Sequence, residues 1–196
     1  MVTPLRRLMP LLLLTLAACQ TAPAPPPLPD MVFTRYQPIY LDVGNADIVD
    51  EFKSPMRAPN VEHLVPVSPS EAMHSWVHDR IKATGASKSL QIVIKDASIV
   101  SHPPENPNVL LGPAPNRRYD AKLDVDMRIY GTDAMSEADI NVIATQTITI
   151  SDSTSLEERK RIFYRMVYDL MESANAEFEK QIFSHFTRYV LYAQTP

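Results

Sequence analysis

The sequence predicts an α+β fold, a two-layer sandwich in which two helices cover one face of a mostly antiparallel, four-stranded sheet. Apolar and polar residues alternate over 119–129 and 138–150, as in strands with one buried face. Apolar residues recur at helical spacing after Ser68 and after Ser155, and the second of these helices is long. The predicted order is β-α-β-β-β-α, which places the apolar sheet face under both helices.

The first strand is predicted at 36–43, where β-forming residues are frequent. Gly44 ends this strand or introduces a bulge, and 46–52 is a candidate continuation of it. The next strand is predicted at 89–101. Its apolar residues change parity beside Lys95, which indicates a β-bulge at that point.

The helices carry recognisable start signals. Ser68 is a good N-cap, Pro69 suits the first helical position, and Glu71 completes a capping box. Gly85 is the expected C-terminal stop of this first helix. The second helix is predicted over 155–190, with acidic residues in its first turn.

A short leader precedes the domain. Arg6 and Arg7 give it a positive start, and 8–18 is apolar except for one threonine. Eleven such residues are too few to span a bilayer, which takes about 20, so the pattern predicts a secretory signal. The residues Leu16-Ala17-Ala18-Cys19 resemble the lipobox of bacterial lipoproteins. That resemblance implies cleavage before Cys19 and attachment of acyl chains such as palmitate to it; the alternative is an ordinary signal peptide with an incidental cysteine.

Removal of 1–18 leaves 178 residues, enough for one domain, with 17 basic residues against 23 acidic ones. This net charge of −6 argues against nucleic-acid binding. Cys19 is the only cysteine, so the mature domain is expected to lack disulfides and a cysteine nucleophile. Residues 19–30 contain five prolines and are predicted to form an extended tether before a single periplasmic domain at 31–196.

Two groups of polar side chains are candidate chemical sites. His74 and His78 have a spacing that can bind a metal, but Ser75 stands where a zinc protease has glutamate, and no third ligand is evident. Three carboxylates share one strand face and could do acid–base work, but basic residues alternate with them and indicate a solvated surface. They are Asp120, Asp124 and Asp126. We expect no metal, no cofactor and no catalytic residue.

Two further features indicate contact surfaces. A basic cluster early in the last helix either meets lipid phosphates or is simply a solvated face; it comprises Arg159, Lys160, Arg161 and Arg165. Three consecutive apolar residues lie in the proline-rich segment 102–116 and either pack back onto the core or contact a partner or lipid. These are Val109, Leu110 and Leu111.

Several stretches resemble uncharacterised bacterial envelope lipoproteins. They are Pro59-Asn60-Val61-Glu62-His63, the helix bearing Trp76 with Gly85 after it, Asp96-Ala97-Ser98, and 170–175. More distantly, 40–49 and the Trp76 helix are similar to the auxiliary lipoproteins of ABC-type lipid transporters. Gln20 follows the lipobox cysteine where aspartate favours retention in the inner membrane, so the resemblance implies the outer membrane.

These features together lead us to expect a non-enzymatic lipoprotein, anchored to the outer membrane through Cys19 and facing the periplasm. It would be an accessory component of envelope transport or assembly with an envelope protein as its partner. The alternatives are a lipid- or small-ligand-binding module, with a pocket between the sheet and the last helix, and a hydrolase acting on envelope polymers.

Overall fold

The structure, a computed structural model, describes residues 26–104, 114–131 and 135–191. Within these residues the chain forms seven β-strands and two α-helices. In chain order they are β1 (Ile39–Leu41), β2 (Asn45–Asp50), α1 (Pro69–Arg80), β3 (Ile81–Ala83), β4 (Ser89–Ser101), β5 (Asn116–Tyr130), β6 (Ser136–Ser151), α2 (Leu156–His185) and β7 (Val190–Leu191). The predicted α+β class and the long C-terminal helix are confirmed.

The main sheet has the strand order β2-β4-β5-β6. β2 runs parallel to β4, whereas β5 pairs antiparallel with both β4 and β6, so the sheet is mostly antiparallel as predicted. The register of β4 against β5 shifts between Ile94 and Asp96, which confirms the predicted bulge. One face of the sheet is apolar and buried under the helices.

A second, three-stranded sheet of order β3-β1-β7 was not predicted. β1 pairs in parallel with β3 and antiparallel with β7. The strand predicted at 36–43 is therefore shorter than expected and belongs to this sheet, while 46–52 contains a separate strand of the main sheet. The chain changes sheets at Gly44, whose N–H donates to the Lys88 carbonyl at 2.6 Å.

Helix α1 begins as predicted. Ser68 Oγ accepts a hydrogen bond from the Glu71 N–H at 3.2 Å, and Ser68 N–H donates to Glu71 Oε2 at 2.8 Å, which forms the capping box. The predicted stop at Gly85 is wrong, because the helix ends at Arg80 and the chain continues directly into β3. Gly85 instead allows a close approach of two backbone segments, since a Cβ there would lie 2.6 Å from Val43 N.

Helix α2 is capped by Ser155, whose Oγ accepts from the Glu158 N–H at 3.2 Å. It ends at His185, earlier than the predicted 190, and β7 follows. The predicted apolar stripe is buried except for its last member, Tyr189, which is partly exposed. The buried members are Phe163, Val167, Leu170, Ala174, Phe178, Ile182 and Phe186. In the part of the chain that the structure describes, neither helix has the length and apolar character needed to cross a membrane.

Two polar contacts join the helices in the interior. Trp76 Nε1 donates to Asn175 Oδ1 at 2.9 Å, and the Trp76 ring lies 4.6 Å from the Phe178 ring, centroid to centroid. Arg80, whose side chain is 3% exposed, donates to Glu179 Oε1 at 2.5 Å. Together with apolar packing, these contacts fix α1 against α2.

Candidate functional site

The residues predicted for lipid attachment and for partner or lipid contact lie outside the described residues. These are Cys19 and the run Val109, Leu110 and Leu111. Pro26, the first described residue, lies beside α2. On either side of 105–113 the chain is held at one end of the main sheet, where the His102 N–H donates to the Arg118 carbonyl at 2.8 Å.

The two helix histidines are not brought together as a metal site. His74 Nε2 is 2.9 Å from Asp50 Oδ2, and His78 Nδ1 is 3.0 Å from Asp79 Oδ1. Within 26–104, 114–131 and 135–191, no group of three or more His, Cys, Asp or Glu side chains is placed to hold a metal ion. Burial raises the pKa of Asp50, but hydrogen bonds from His74 and Ser70 outweigh it and hold that pKa below its usual value. The Asp50–His74 pair thus joins the end of β2 to α1.

The strand carboxylates lie in a lattice of charges on the polar sheet face. Lys95 Nζ is 3.4 Å from Asp124 Oδ1 and 3.0 Å from Asp126 Oδ1. Asn141 Nδ2 donates to the same two carboxylates, at 2.9 and 2.7 Å. Burial raises the pKa of Asp124, but the hydrogen bond from Asn141 and the charge of Lys95 together lower it by more. The pKa of Asp124 is therefore below its usual value. An ionised, fully engaged carboxylate is a poor general acid, and the lattice instead ties β4, β5 and β6 together.

One carboxylate that sequence reasoning missed is buried beneath an open cleft. The cleft has a volume of about 430 Å³ and is lined by polar side chains, Glu62 and His63 among them. Glu62 is 3% exposed and accepts hydrogen bonds from Ser54 Oγ at 2.5 Å and from the Ile99 N–H at 3.2 Å. Burial raises the pKa of Glu62, but these bonds lower it below its usual value. Because its oxygens are occupied, Glu62 fastens the loop before α1 to β4.

Strand β6 forms an edge of the main sheet, and in the described residues it pairs with β5 only. The Asn141 carbonyl accepts from Gln181 Nε2 at 3.1 Å, so that carbonyl points away from β5. Inward and outward backbone groups alternate along an antiparallel strand. The N–H and C=O groups of every second residue from Ile143 to Thr149 therefore also point away from β5. We call these residues the free edge of β6.

In its composition, the free edge lacks the charged residues and prolines that often protect an edge strand. β6 contains no Lys, Arg or Pro, and its last nine residues, from Ile143 to Ser151, carry no charge. Ile143 is 54% exposed, and three exposed threonines follow it at alternate positions: Thr145, Thr147 and Thr149. Uncharged, β-branched residues beside unpaired amides form a template on which another strand can pair.

The residues of the basic cluster have different partners in the structure. Arg159 Nη1 donates to the Tyr119 hydroxyl at 3.2 Å, and Lys160 Nζ is 2.8 Å from Glu157 Oε1. Arg161 Nη2 donates to the Pro26 carbonyl at 2.8 Å. The basic cluster is thus adjacent to Pro26, in the proline-rich segment that is predicted to form a tether.

Comparison with known proteins adds no assignment to this geometry. No protein-family model matches the chain. No curated protein is similar enough to be counted as a relative.

Proposed function

We propose that the protein is a non-enzymatic lipoprotein, anchored through Cys19 in the outer membrane, that serves as an accessory component of envelope transport or assembly. In this proposal it holds an extended segment of a periplasmic partner protein against the free edge of β6. The observation that carries it is the unprotected edge itself, with its outward amides and exposed β-branched side chains.

Strand addition suits such an edge because backbone hydrogen bonds supply affinity and alternate side chains supply specificity. Ile143 offers an exposed apolar contact at one end of the edge, and the threonines after it favour the extended conformation. Asn141 of β6 donates hydrogen bonds to Asp124 and Asp126 of β5, and these contacts help to hold the two strands in register. The edge is therefore rigid before a partner binds. A rigid template reduces the ordering cost of binding.

The alternative of a ligand pocket between the sheet and α2 has less support. Side chains on both sides of that interface are fully buried against one another, among them Val125 of β5 and Leu170 and Phe178 of α2. A ligand at the centre of that interface would have to displace close-packed apolar side chains, which is costly. The groove of about 730 Å³ that is lined by Ile148 of β6 and by α2 lies at its margin.

Proline substitution tests the free edge. Thr145→Pro removes an N–H that points away from β5, so the sheet should tolerate it while a partner strand loses a hydrogen bond and meets the ring. We expect the recovery of an envelope protein cross-linked to the lipoprotein in membranes to fall about tenfold. Thr145→Val, which keeps the N–H, is the matched control and should recover as much as wild type. Equal recovery from all three proteins would remove the support for strand addition.

The anchor has a separate test. We expect mass spectrometry of the mature N-terminus to find an acylated Cys19, and the protein to fractionate with the outer membrane. Cys19→Ala should move it to the soluble fraction, because no acyl chain is then attached. Gln20→Asp should keep the acyl chains but shift the protein toward the inner membrane. An unmodified Cys19 in the wild type contradicts the proposal.

A further inference from the structure

We infer that the N-terminal third of α2, with the tether docked on it, is the face of the domain that lies on the membrane and binds the phosphate groups of anionic phospholipids. The surface comprises Lys160, Arg161 and Arg165 and is called the basic ridge below. This inference rests on the proposed anchoring through Cys19.

The first support is the position of the tether. Its last residues lie against α2: the Pro26 carbonyl accepts from Arg161 Nη2 at 2.8 Å, and Leu28 and Pro29 help to line a groove of about 730 Å³ along the helix. Pro26 lies seven positions after Cys19 in the sequence. At a maximum of about 3.6 Å per residue, an acylated Cys19 holds Pro26 within about 25 Å of the lipid. The end of the domain at Arg161 is therefore kept near the bilayer.

The second support is the charge distribution along α2. Residues 157–165 contain four basic and two acidic side chains, whereas 166–185 contain one lysine and four acidic side chains. The helix dipole acts mainly on the first turn, which holds Glu157 and Glu158, so it does not account for Arg161 and Arg165 farther along the helix. A mature domain with a net charge of −6 is repelled by an anionic surface except at such a positive end.

The third support is the surroundings of the ridge. Among the described residues, Arg161 and Arg165 form no ion pair, although Glu158 and Asp169 also line the groove. The Arg165 guanidinium is 5.6 Å from the Tyr168 ring centroid, and Tyr168 is half-buried in the groove wall. Tyrosines with an apolar body and a wet hydroxyl suit the headgroup region of a bilayer. The ridge thus offers two arginines able to bind phosphate bidentately.

The test uses the acylated protein in vesicles. Since Cys19 is the only cysteine and is acylated, one introduced cysteine can be labelled alone. Glu157→Cys places a fluorophore beside the ridge, and Ser184→Cys places one near the other end of α2, about 40 Å away along the helix. The vesicles contain phosphatidylethanolamine with or without a quarter phosphatidylglycerol, and a headgroup nitroxide serves as quencher.

With phosphatidylglycerol present, we expect quenching at 157 to exceed quenching at 184 about tenfold. Combining Arg161→Glu with Arg165→Glu should bring that ratio close to one, whereas Lys180→Glu on the same helix should leave it unchanged. Equal quenching at both labels, or a ratio unaffected by the ridge reversals, overturns the inference. Failure of the unlabelled wild type to float with vesicles contradicts the anchor itself, which separates the two proposals.

Discussion

Replacing Trp76 with alanine is expected to lower the free energy of unfolding by about 3–5 kcal/mol. The side chain is fully buried, its ring packs on Phe178, and its Nε1–H is bonded to Asn175 Oδ1. The substitution removes this packing, leaves a cavity between α1 and α2, and strips a buried amide oxygen of its donor. Urea unfolding of the Cys19→Ala protein measures the change. Circular dichroism is the suitable probe, because Trp76 is the only tryptophan.

Two gentler variants separate the packing from the hydrogen bond. Trp76→Phe keeps an aromatic ring but leaves Asn175 Oδ1 unpaired, which costs about 1–3 kcal/mol for the amide in addition to the lost volume. Asn175→Leu in the Trp76→Phe background should restore part of that loss. A destabilisation below about 1 kcal/mol for Trp76→Ala, the size typical of surface substitutions, would show that the α1–α2 contact contributes little to stability.

Removing the carboxylate of Glu179 is expected to destabilise the protein by about 3–5 kcal/mol, although Glu179 itself is partly exposed. The reason is the partner that is left behind. The Arg80 side chain is 3% exposed, and its Nε has no hydrogen-bond partner in the described residues, so Glu179 supplies the only countercharge that the structure gives it. Glu179→Ala therefore leaves a buried guanidinium uncompensated.

The matched variant removes the charge instead of its partner. Arg80→Met replaces the guanidinium with an apolar side chain that can pack on the Tyr36 ring. In the wild type, Arg80 Cζ lies 5.0 Å from the centroid of that ring. We expect Arg80→Met, alone or with Glu179→Ala, to be much less destabilising than Glu179→Ala. Urea midpoints decide the order. If Arg80→Met is the more destabilising of the two single variants, the guanidinium is not the cause of the cost.

Much of the main sheet and both helix starts could be predicted because each leaves a local pattern. β5 and β6 alternate cleanly, and the caps at Ser68 and Ser155 are local hydrogen bonds. The small sheet leaves no such pattern, since β1, β3 and β7 have three residues or fewer and are strands only through pairing with distant segments. For the same reason the helix stop predicted at Gly85 is wrong: tertiary pairing, not a capping glycine, ends α1 at Arg80.

The candidate surfaces were predictable only in their parts. The basic residues of α2 and the proline tether are visible in the sequence, but their contact through Arg161 and Pro26 is not. Glu62 lies in an irregular loop, where no periodicity distinguishes a buried carboxylate from a solvated one. The alternation of β6 predicts which face is buried, but it does not predict that β6 lies at the edge, because strand order is a property of the whole sheet.

The pairing of β1 with β7 also has a consequence for biosynthesis. Leu41 lies opposite Val190, so the small sheet joins two parts of the chain separated by nearly the whole domain. Any process that delivers the polypeptide progressively from its N-terminus, whether ribosome or translocation pore, completes this sheet last. Until residue 191 emerges, β1 lacks one of its two neighbouring strands, although every strand of the main sheet has already emerged. Because this contact is non-local, we expect the β1–β7 pairing to form late in folding.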